Sequence, residues 1–142
     1  MLDQVEIFHG LRNEELAALE DSSTSESYPK NTVVIQENEP ADALYVIESG
    51  RVKVYCSDKN GKEFIMNSLG VGDYFGELAL LDDSARSASV RTVEPCQFRV
   101  VKKEDFSKVL TDNPGITQQL LGNLAARVRK LTTDVKNLAL QD

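Results

Sequence analysis

Apolar residues recur along this chain in two different periods, and the period changes near residue 102. Between residues 32 and 102, short runs rich in Val, Ile, Tyr and Phe often alternate with polar positions, which is typical of β-strands. We expect strands at residues 32–36, 43–47, 51–57, 63–69, 87–92 and 97–102. Polar turn sequences separate these runs, and the Asn60-Gly61 pair predicts a hairpin. Many short strands in succession predict a mainly β fold, a sandwich or jelly roll.

Helical patterns flank this β region. Residues 13–20 predict a short amphipathic helix that Asn13 can cap and whose first turn is acidic. We expect the polar stretch of residues 21–27 to connect this helix to the β region. On the other side, residues 103–110 predict a second short helix.

A long helix is predicted at the C-terminal end, because Asn113-Pro114 offers a cap and a first-turn proline. Apolar residues recur along it at alternating spacings of three and four: Leu121, Leu124, Val128, Leu131, Val135 and Leu138. Such a seam is typical of helices that pair, whereas a helix packed on its own domain favours a broader stripe. We therefore expect a homodimer through this helix; the alternative is packing on the β domain or on another partner.

The domain organisation follows from these patterns. We expect one β domain with an N-terminal helix, residues 1–112, and a dimerisation helix, residues 113–142, without a helix-turn-helix DNA-binding domain.

Composition narrows the class of protein. The 142 residues are 41% hydrophobic and 27% charged, as in a soluble globular domain. No apolar run is long enough to span a bilayer, and the N-terminus does not resemble a signal peptide, so we expect a cytoplasmic protein. The net charge of −7 disfavours direct DNA binding. The one basic cluster predicts a solvated helix face: Arg127, Arg129, Lys130 and Lys136.

Metal chemistry and catalysis are not expected. Cys56 and Cys96 lie far apart in strand-like sequence, where a free cysteine behaves as a small buried apolar residue. Structural zinc and iron–sulfur sites need several thiolates or histidines, and His9 is the single histidine. The same shortage argues against a jelly-roll metalloenzyme. We therefore predict no metal, no cofactor and no enzymatic activity.

Residues 72–90 carry the pattern with the most chemical content. Gly76 allows close backbone approach, and residues 77–81 can form a helical turn whose N–H groups attract an anion. Arg86 can supply a bidentate guanidinium, and Glu77 can accept a hydrogen bond from a sugar hydroxyl. The competing interpretation is a Glu77–Arg86 ion pair that merely closes a loop.

The wider sequence resembles a known family. Residues 75–81, Phe-Gly-Glu-Leu-Ala-Leu-Leu, and residues 85–90, Ala-Arg-Ser-Ala-Ser-Val, are similar to the phosphate-binding cassette of cyclic nucleotide-binding domains. Residues 7–11, 45–54, 72–73 and 137–139 extend the resemblance to the catabolite activator (CRP/FNR) transcription regulators. The resemblance implies a double-stranded β-helix (jelly roll) with a long C-terminal dimerisation helix.

The resemblance also implies roles for individual residues. Those expected at the phosphate and ribose are Gly76, Glu77, Leu78, Ala79, Arg86 and Ser87. Those expected around the base are Val54, Met66, Leu69, Leu131 and Thr132. Similar catabolite activators present a Thr-Ser pair to the adenine amine where this chain has Leu131-Thr132, so only the second position keeps its hydroxyl.

The implied function is a sensor that binds a cyclic nucleotide, with cAMP as the first candidate and cGMP as the second. Binding is expected to bias the arrangement of the dimer helix. DNA would be bound only through a helix-turn-helix domain, and no membrane partner is expected. The alternatives are a module with another effector or none, and a stand-alone sensor that acts on a partner protein.

Overall fold

The computed structural model describes residues 1–141 and forms two antiparallel β-sheets with four α-helices. The strands are β1 (Thr24–Tyr28), β2 (Val33–Ile35), β3 (Ala43–Ser49), β4 (Val52–Ser57), β5 (Glu63–Leu69), β6 (Tyr74–Phe75), β7 (Ser89–Thr92) and β8 (Cys96–Lys102). The helices are α1 (Asn13–Ser22), α2 (Glu77–Leu81), α3 (Lys103–Asp112) and α4 (Pro114–Ala139), preceded by 3-10 turns at Leu2–Gln4 and Glu6–Phe8.

The two sheets face each other as a β-roll. One has the strand order β1-β8-β3-β6 and the other β2-β7-β4-β5. Between them Phe98 is fully buried and makes edge contacts with the rings of Tyr28, Tyr45 and Phe75. This arrangement confirms the expected jelly roll.

Two strands were not expected from the sequence. Residues 21–27 were interpreted as a polar connection, but Thr24–Tyr28 pairs along its whole length with β8. Its side chains are mostly polar and exposed, so its position comes from backbone hydrogen bonds to β8 and leaves no apolar alternation to detect. The other is the two-residue strand β6, too short to show a period.

Most remaining boundaries agree with the patterns. The predicted strand at residues 63–69 coincides with β5, and the other predicted strands shift by one or two residues. The Asn60-Gly61 hairpin is confirmed, since β4 pairs with β5 and Gly61 has a φ of 84°. Within this turn the Asp58 carboxylate accepts backbone N–H groups of Asn60 and Lys62.

Of the two predicted asparagine caps, Asn13 is wrong and Asn113 is confirmed at the N-cap position. Arg12, not Asn13, occupies the N-cap of α1, where its backbone N–H donates to the Glu15 carboxylate. Asn113 does occupy the N-cap of α4, but its side chain donates to the carbonyl of Val109 in the preceding helix. The amide therefore joins α3 to α4 instead of satisfying the first turn of α4.

The long helix begins in the core and then leaves it. Ile116 and Leu120 are buried against Phe106 of α3 and the N-terminal turns. Of the predicted seam, five side chains are exposed: Leu121, Val128, Leu131, Val135 and Leu138. Leu124 is different, because it is partly buried against the domain's own core. No helix within residues 1–141 combines the length and apolarity needed to cross a membrane.

Candidate functional site

A cavity of about 350 Å³ lies between one sheet, α2 and α4. All four strands of the β2-β7-β4-β5 sheet contribute residues, and β6 of the other sheet contributes two more. The cassette contributes α2 and the segment before β7, and α4 contributes three residues. The residues that line it are Ile35, Val54, Cys56, Met66, Asn67, Leu69, Tyr74, Phe75, Gly76, Glu77, Leu78, Ala79, Arg86, Ser87, Ala88, Val90, Arg127, Lys130 and Leu131.

Arg86 is a buried cation at the cavity wall. Only 4% of its surface is exposed, and its guanidinium donates to the carbonyls of Gly76 at 2.8 Å and Ala43 at 2.9 Å. It takes part in none of the ion pairs formed by residues 1–141. Burial lowers the pKa of Arg86, because removal from water penalises its charged form. Its hydrogen bonds therefore go to neutral carbonyls, and the carboxylates of Asp42 and Glu77 favour its charge only from beyond ion-pair distance.

Gly76 makes the position of Arg86 possible. Its φ is 92°, a left-handed conformation that favours glycine, and it immediately precedes α2. A Cβ at this residue would lie 2.5 Å from Nη1 of Arg86 and 3.4 Å from the carbonyl oxygen of Ala43. The glycine expected for close backbone approach is thus required both by its conformation and by the neighbouring guanidinium.

Glu77 is held by the long helix and not by Arg86. Its side chain is buried, with 3% of the residue exposed, and its Oε1 accepts from Nη1 of Arg127 at 2.8 Å. The Arg127 side chain is 44% exposed. The loop-closing Glu77–Arg86 ion pair, considered as an alternative from sequence, is therefore not what the structure contains.

The remaining cassette residues and the wall also meet at the cavity. Leu78, Ala79 and Ser87 line it beside Arg86. Val54, Met66 and Leu69 line it from the sheet, on strands β4 and β5.

The two helix positions expected at the base are separated by the structure. Leu131 lines the cavity, whereas Thr132 is not among the lining residues. The hydroxyl of Thr132 donates to the carbonyl of Val128 one turn earlier, at 2.9 Å. In this arrangement Thr132 offers no hydroxyl to the cavity, and Leu131 has none.

Two cations of the cavity lining were not expected from the sequence. Arg127 and Lys130 were assigned to a solvated helix face, but both line the cavity together with Leu131. Their spacing carries a signal, since residues three and four apart share one face of a helix. A helix face that includes Leu131 therefore includes Arg127. The sequence does not show, however, that this face of the helix meets the cavity.

The cavity is electrostatically positive. Three cations line it, Arg86, Arg127 and Lys130, against the single carboxylate of Glu77. Such an excess favours an anionic ligand even though the whole chain is acidic. Within residues 1–141 no cluster of three His, Cys, Asp or Glu side chains could hold a metal ion.

The thiol at the cavity is not activated. Cys56 is partly buried, and its Sγ lies 3.7 Å from the carbonyl oxygen of Ser87. Burial raises the pKa of the Cys56 thiol, and the nearby charge of Glu37 raises it further. A raised pKa disfavours the thiolate, which agrees with the packing role expected from sequence. Cys96 is buried, also as expected.

Comparison with known proteins gives this cavity a context. The family model of the cyclic nucleotide-binding domain matches residues 25–113, more than half of the chain. A CRP-like cAMP-activated global transcriptional regulator of Mycobacterium tuberculosis is 31% identical over 142 residues, which is 100% of this chain and 63% of the relative. A cAMP-activated global transcriptional regulator CRP of Pasteurella multocida is 34% identical, over 81% of this chain and 56% of the relative. The chain thus spans less than two thirds of these relatives.

Solved structures agree at the level of the fold. The catabolite activator protein of Thermus thermophilus superposes with a TM-score of 0.82 at 30% identity, covering 94% of this chain and 62% of that one. The regulatory subunit of a cAMP-independent protein kinase A from Trypanosoma brucei superposes with a TM-score of 0.77 at 26% identity, covering 88% and 44%.

Proposed function

Because the chain belongs to the family of cyclic nucleotide-binding domains, in the branch of CRP-like transcription regulators, we propose that it is a cytoplasmic sensor of a cyclic nucleotide. The first ligand to test is cAMP, since several relatives are described as cAMP-activated. The proposal concerns ligand binding and its transmission through α4. DNA contact is assigned to a separate helix-turn-helix segment and not to this cavity.

The observation that carries the proposal is the buried Arg86. A guanidinium removed from water without a carboxylate partner is costly, and an anionic phosphate would supply the missing counter-charge. Its two hydrogen bonds to Gly76 and Ala43 orient the group before the ligand arrives. Ser87, the next residue and also in the lining, supplies a hydroxyl for the same phosphate.

Glu77 is suited to the ribose. As a carboxylate it accepts hydrogen bonds and repels a phosphate, so a sugar hydroxyl is its natural partner at this site. The Arg127 pair leaves its second oxygen, Oε2, without a hydrogen bond among the described residues. Leu78 and Ala79 complete the cassette around the sugar and phosphate.

The base would lie against the apolar wall. Val54, Met66 and Leu69 from the sheet and Leu131 from α4 offer surfaces on which a purine can pack. Apolar walls with a few oriented polar groups are typical of small-molecule sites.

Signal transmission would run through α4. This helix contributes Arg127, Lys130 and Leu131 to the cavity and then carries exposed apolar residues towards its end. We propose that α4 pairs with a second copy through its exposed seam, and that ligand binding biases the arrangement of the pair. A ligand can shift such an equilibrium only by its differential affinity for the two arrangements.

A different effector is the second candidate. It is favoured by the helix positions that face adenine in similar activators, because Leu131 has no hydroxyl and the Thr132 hydroxyl donates to the carbonyl of Val128. A similar solved structure is also described as cAMP-independent. In that case the anion held by Arg86 would not be part of an adenine nucleotide.

Calorimetric titration with cAMP tests the proposal. Wild-type protein should bind saturably, and Arg86→Lys should weaken binding by about 2–5 kcal/mol, because lysine keeps the charge but loses the oriented fork. That loss corresponds to roughly 30-fold or more in Kd.

Arg51→Lys is the matched control, since Arg51 is an exposed arginine outside the cavity lining. The affinity of this control variant for cAMP should equal that of wild-type protein. Circular dichroism establishes that each variant is folded. Folded wild-type protein that binds neither cAMP nor cGMP would exclude the proposed function.

A further inference from the structure

Outside the cassette, the polar side chains that line the cavity can all donate hydrogen bonds. Apart from the cassette, the polar side chains in the lining are Cys56, Asn67, Tyr74, Arg127 and Lys130. Arg127 is engaged by Glu77, and the Oδ1 of Asn67 accepts the backbone N–H of Ser68 at 2.9 Å. The Asn67 amide group that remains is a donor, and a lysine ammonium is only ever a donor.

A lining rich in hydrogen-bond donors favours a base that presents acceptors. At neighbouring positions of its ring, adenine presents the N7 acceptor and the N6 amine donor, whereas guanine presents two acceptors, N7 and O6. Lysine and arginine are the side chains that most often recognise the O6/N7 pair. Neither Leu131 nor Thr132 offers the cavity an acceptor or a hydroxyl for the adenine amine.

Lys130 can reach a base at small cost. Its side chain is 79% exposed, and it pairs with Asp134 at 3.7 Å, one turn further along α4. An exposed pair of this spacing contributes only about 0.3–0.5 kcal/mol, so a ligand carbonyl can draw the ammonium away from it. Lys130 already lines the cavity beside Leu131.

We propose that Lys130 recognises the 6-carbonyl of a purine, so that this site accepts 6-oxopurine cyclic nucleotides such as cGMP as well as cAMP. The inference rests on the proposed function, because it concerns the base of the same ligand. It makes Lys130 a specificity-determining residue and leaves the phosphate to Arg86 and Ser87.

Titrations with cAMP, cGMP and cyclic inosine monophosphate test the assignment. The inosine nucleotide carries the 6-carbonyl without the 2-amino group and should follow cGMP. In wild-type protein the Kd for cGMP should lie within about tenfold of that for cAMP. Lys130→Met should weaken cGMP and the inosine nucleotide by roughly 5- to 150-fold, the range of a good base contact, and change cAMP by less than about twofold. Lys130→Arg should restore the 6-oxopurine affinity.

Arg129→Met is the matched control, because it removes one positive charge from an exposed position of α4 outside the cavity lining. It should affect all three nucleotides equally and weakly. Equal losses for all three nucleotides in Lys130→Met would assign Lys130 to the phosphate and overturn the proposal. Unchanged 6-oxopurine affinity in that variant, or wild-type cGMP affinity more than about 100-fold below that for cAMP, would also overturn it. These results differ from failure of the proposed function, in which wild-type protein binds none of the three.

Discussion

The two sides of the cavity differ in how deeply their charged side chains are buried. On the cassette side, Arg86 and Glu77 are almost fully buried, and Gly76 holds a conformation that few other residues adopt. On the α4 side, Arg127 and Lys130 are substantially exposed, and they reach the cavity from a helix that extends beyond the domain. The cassette is thus preorganised, whereas the helix side depends on where α4 lies.

This difference in burial suits the two sides of the cavity to different parts of ligand recognition. Preorganised buried groups lose little entropy on binding and suit the part of the ligand that does not vary, the phosphate and ribose. Exposed side chains on a helix can be changed or moved without unfolding the domain, and they suit base selection and signal transmission. The predictions that follow test this division, from the largest expected effect to the smallest.

Gly76→Ala should have the largest effect on stability. The substitution forces a residue with a Cβ into a φ of 92° and places that Cβ against Nη1 of Arg86. We expect the free energy of unfolding to fall by about 2–4 kcal/mol, from backbone strain together with displacement of the guanidinium. Urea denaturation measures the loss.

Gly61→Ala is the control for backbone strain alone. Gly61 has a similar φ of 84°, but a Cβ there would have no neighbour within 4 Å. Its cost should be about 1 kcal/mol. If the two substitutions cost the same, close approach to Arg86 contributes nothing to the cost, and the guanidinium moves aside for the Cβ without loss of stability.

The same division explains what the sequence could predict. Gly76, Glu77 and Arg86 lie within eleven consecutive residues, so a local motif carries their arrangement. Arg127 and Lys130 reach the cavity only because α4 crosses it, some forty residues later in the chain, and a helical period does not tell which surface a helix face meets. The apolar alternation predicted most strands, while the polar edge strand Thr24–Tyr28 gave no such signal.

Arg127→Met should have an intermediate effect on stability, because it removes the ion pair with Glu77 that joins α4 to the cassette. Glu77 would remain buried without its partner, and we expect the free energy of unfolding to fall by about 1–2 kcal/mol. Arg129→Met, on the solvent-exposed part of the same helix, should change it by less than about 0.5 kcal/mol.

A double-mutant cycle with Glu77→Gln isolates the pair. The two substitutions should be non-additive by about 1 kcal/mol, since each removes the same interaction. Additive effects would mean that Arg127 acts only as an exposed charge and that α4 is not held to the cassette by this contact.

Val135→Lys should have the smallest effect on the fold and a clear effect on assembly. Val135 is 65% exposed and lies on the proposed dimer seam, so a lysine there should be tolerated by the single chain but should disfavour pairing of two apolar seams. Sedimentation velocity should show a dimer for wild-type protein and a monomer for the variant, with the circular dichroism spectrum retained.

Leu124→Lys is less informative, because Leu124 packs on the domain's own core and its substitution would destabilise the fold as well. Lys136→Glu changes a charge at the next position without entering the seam and should leave the dimer intact. A wild-type monomer, or an unchanged mass for Val135→Lys, would place signal transmission outside this seam.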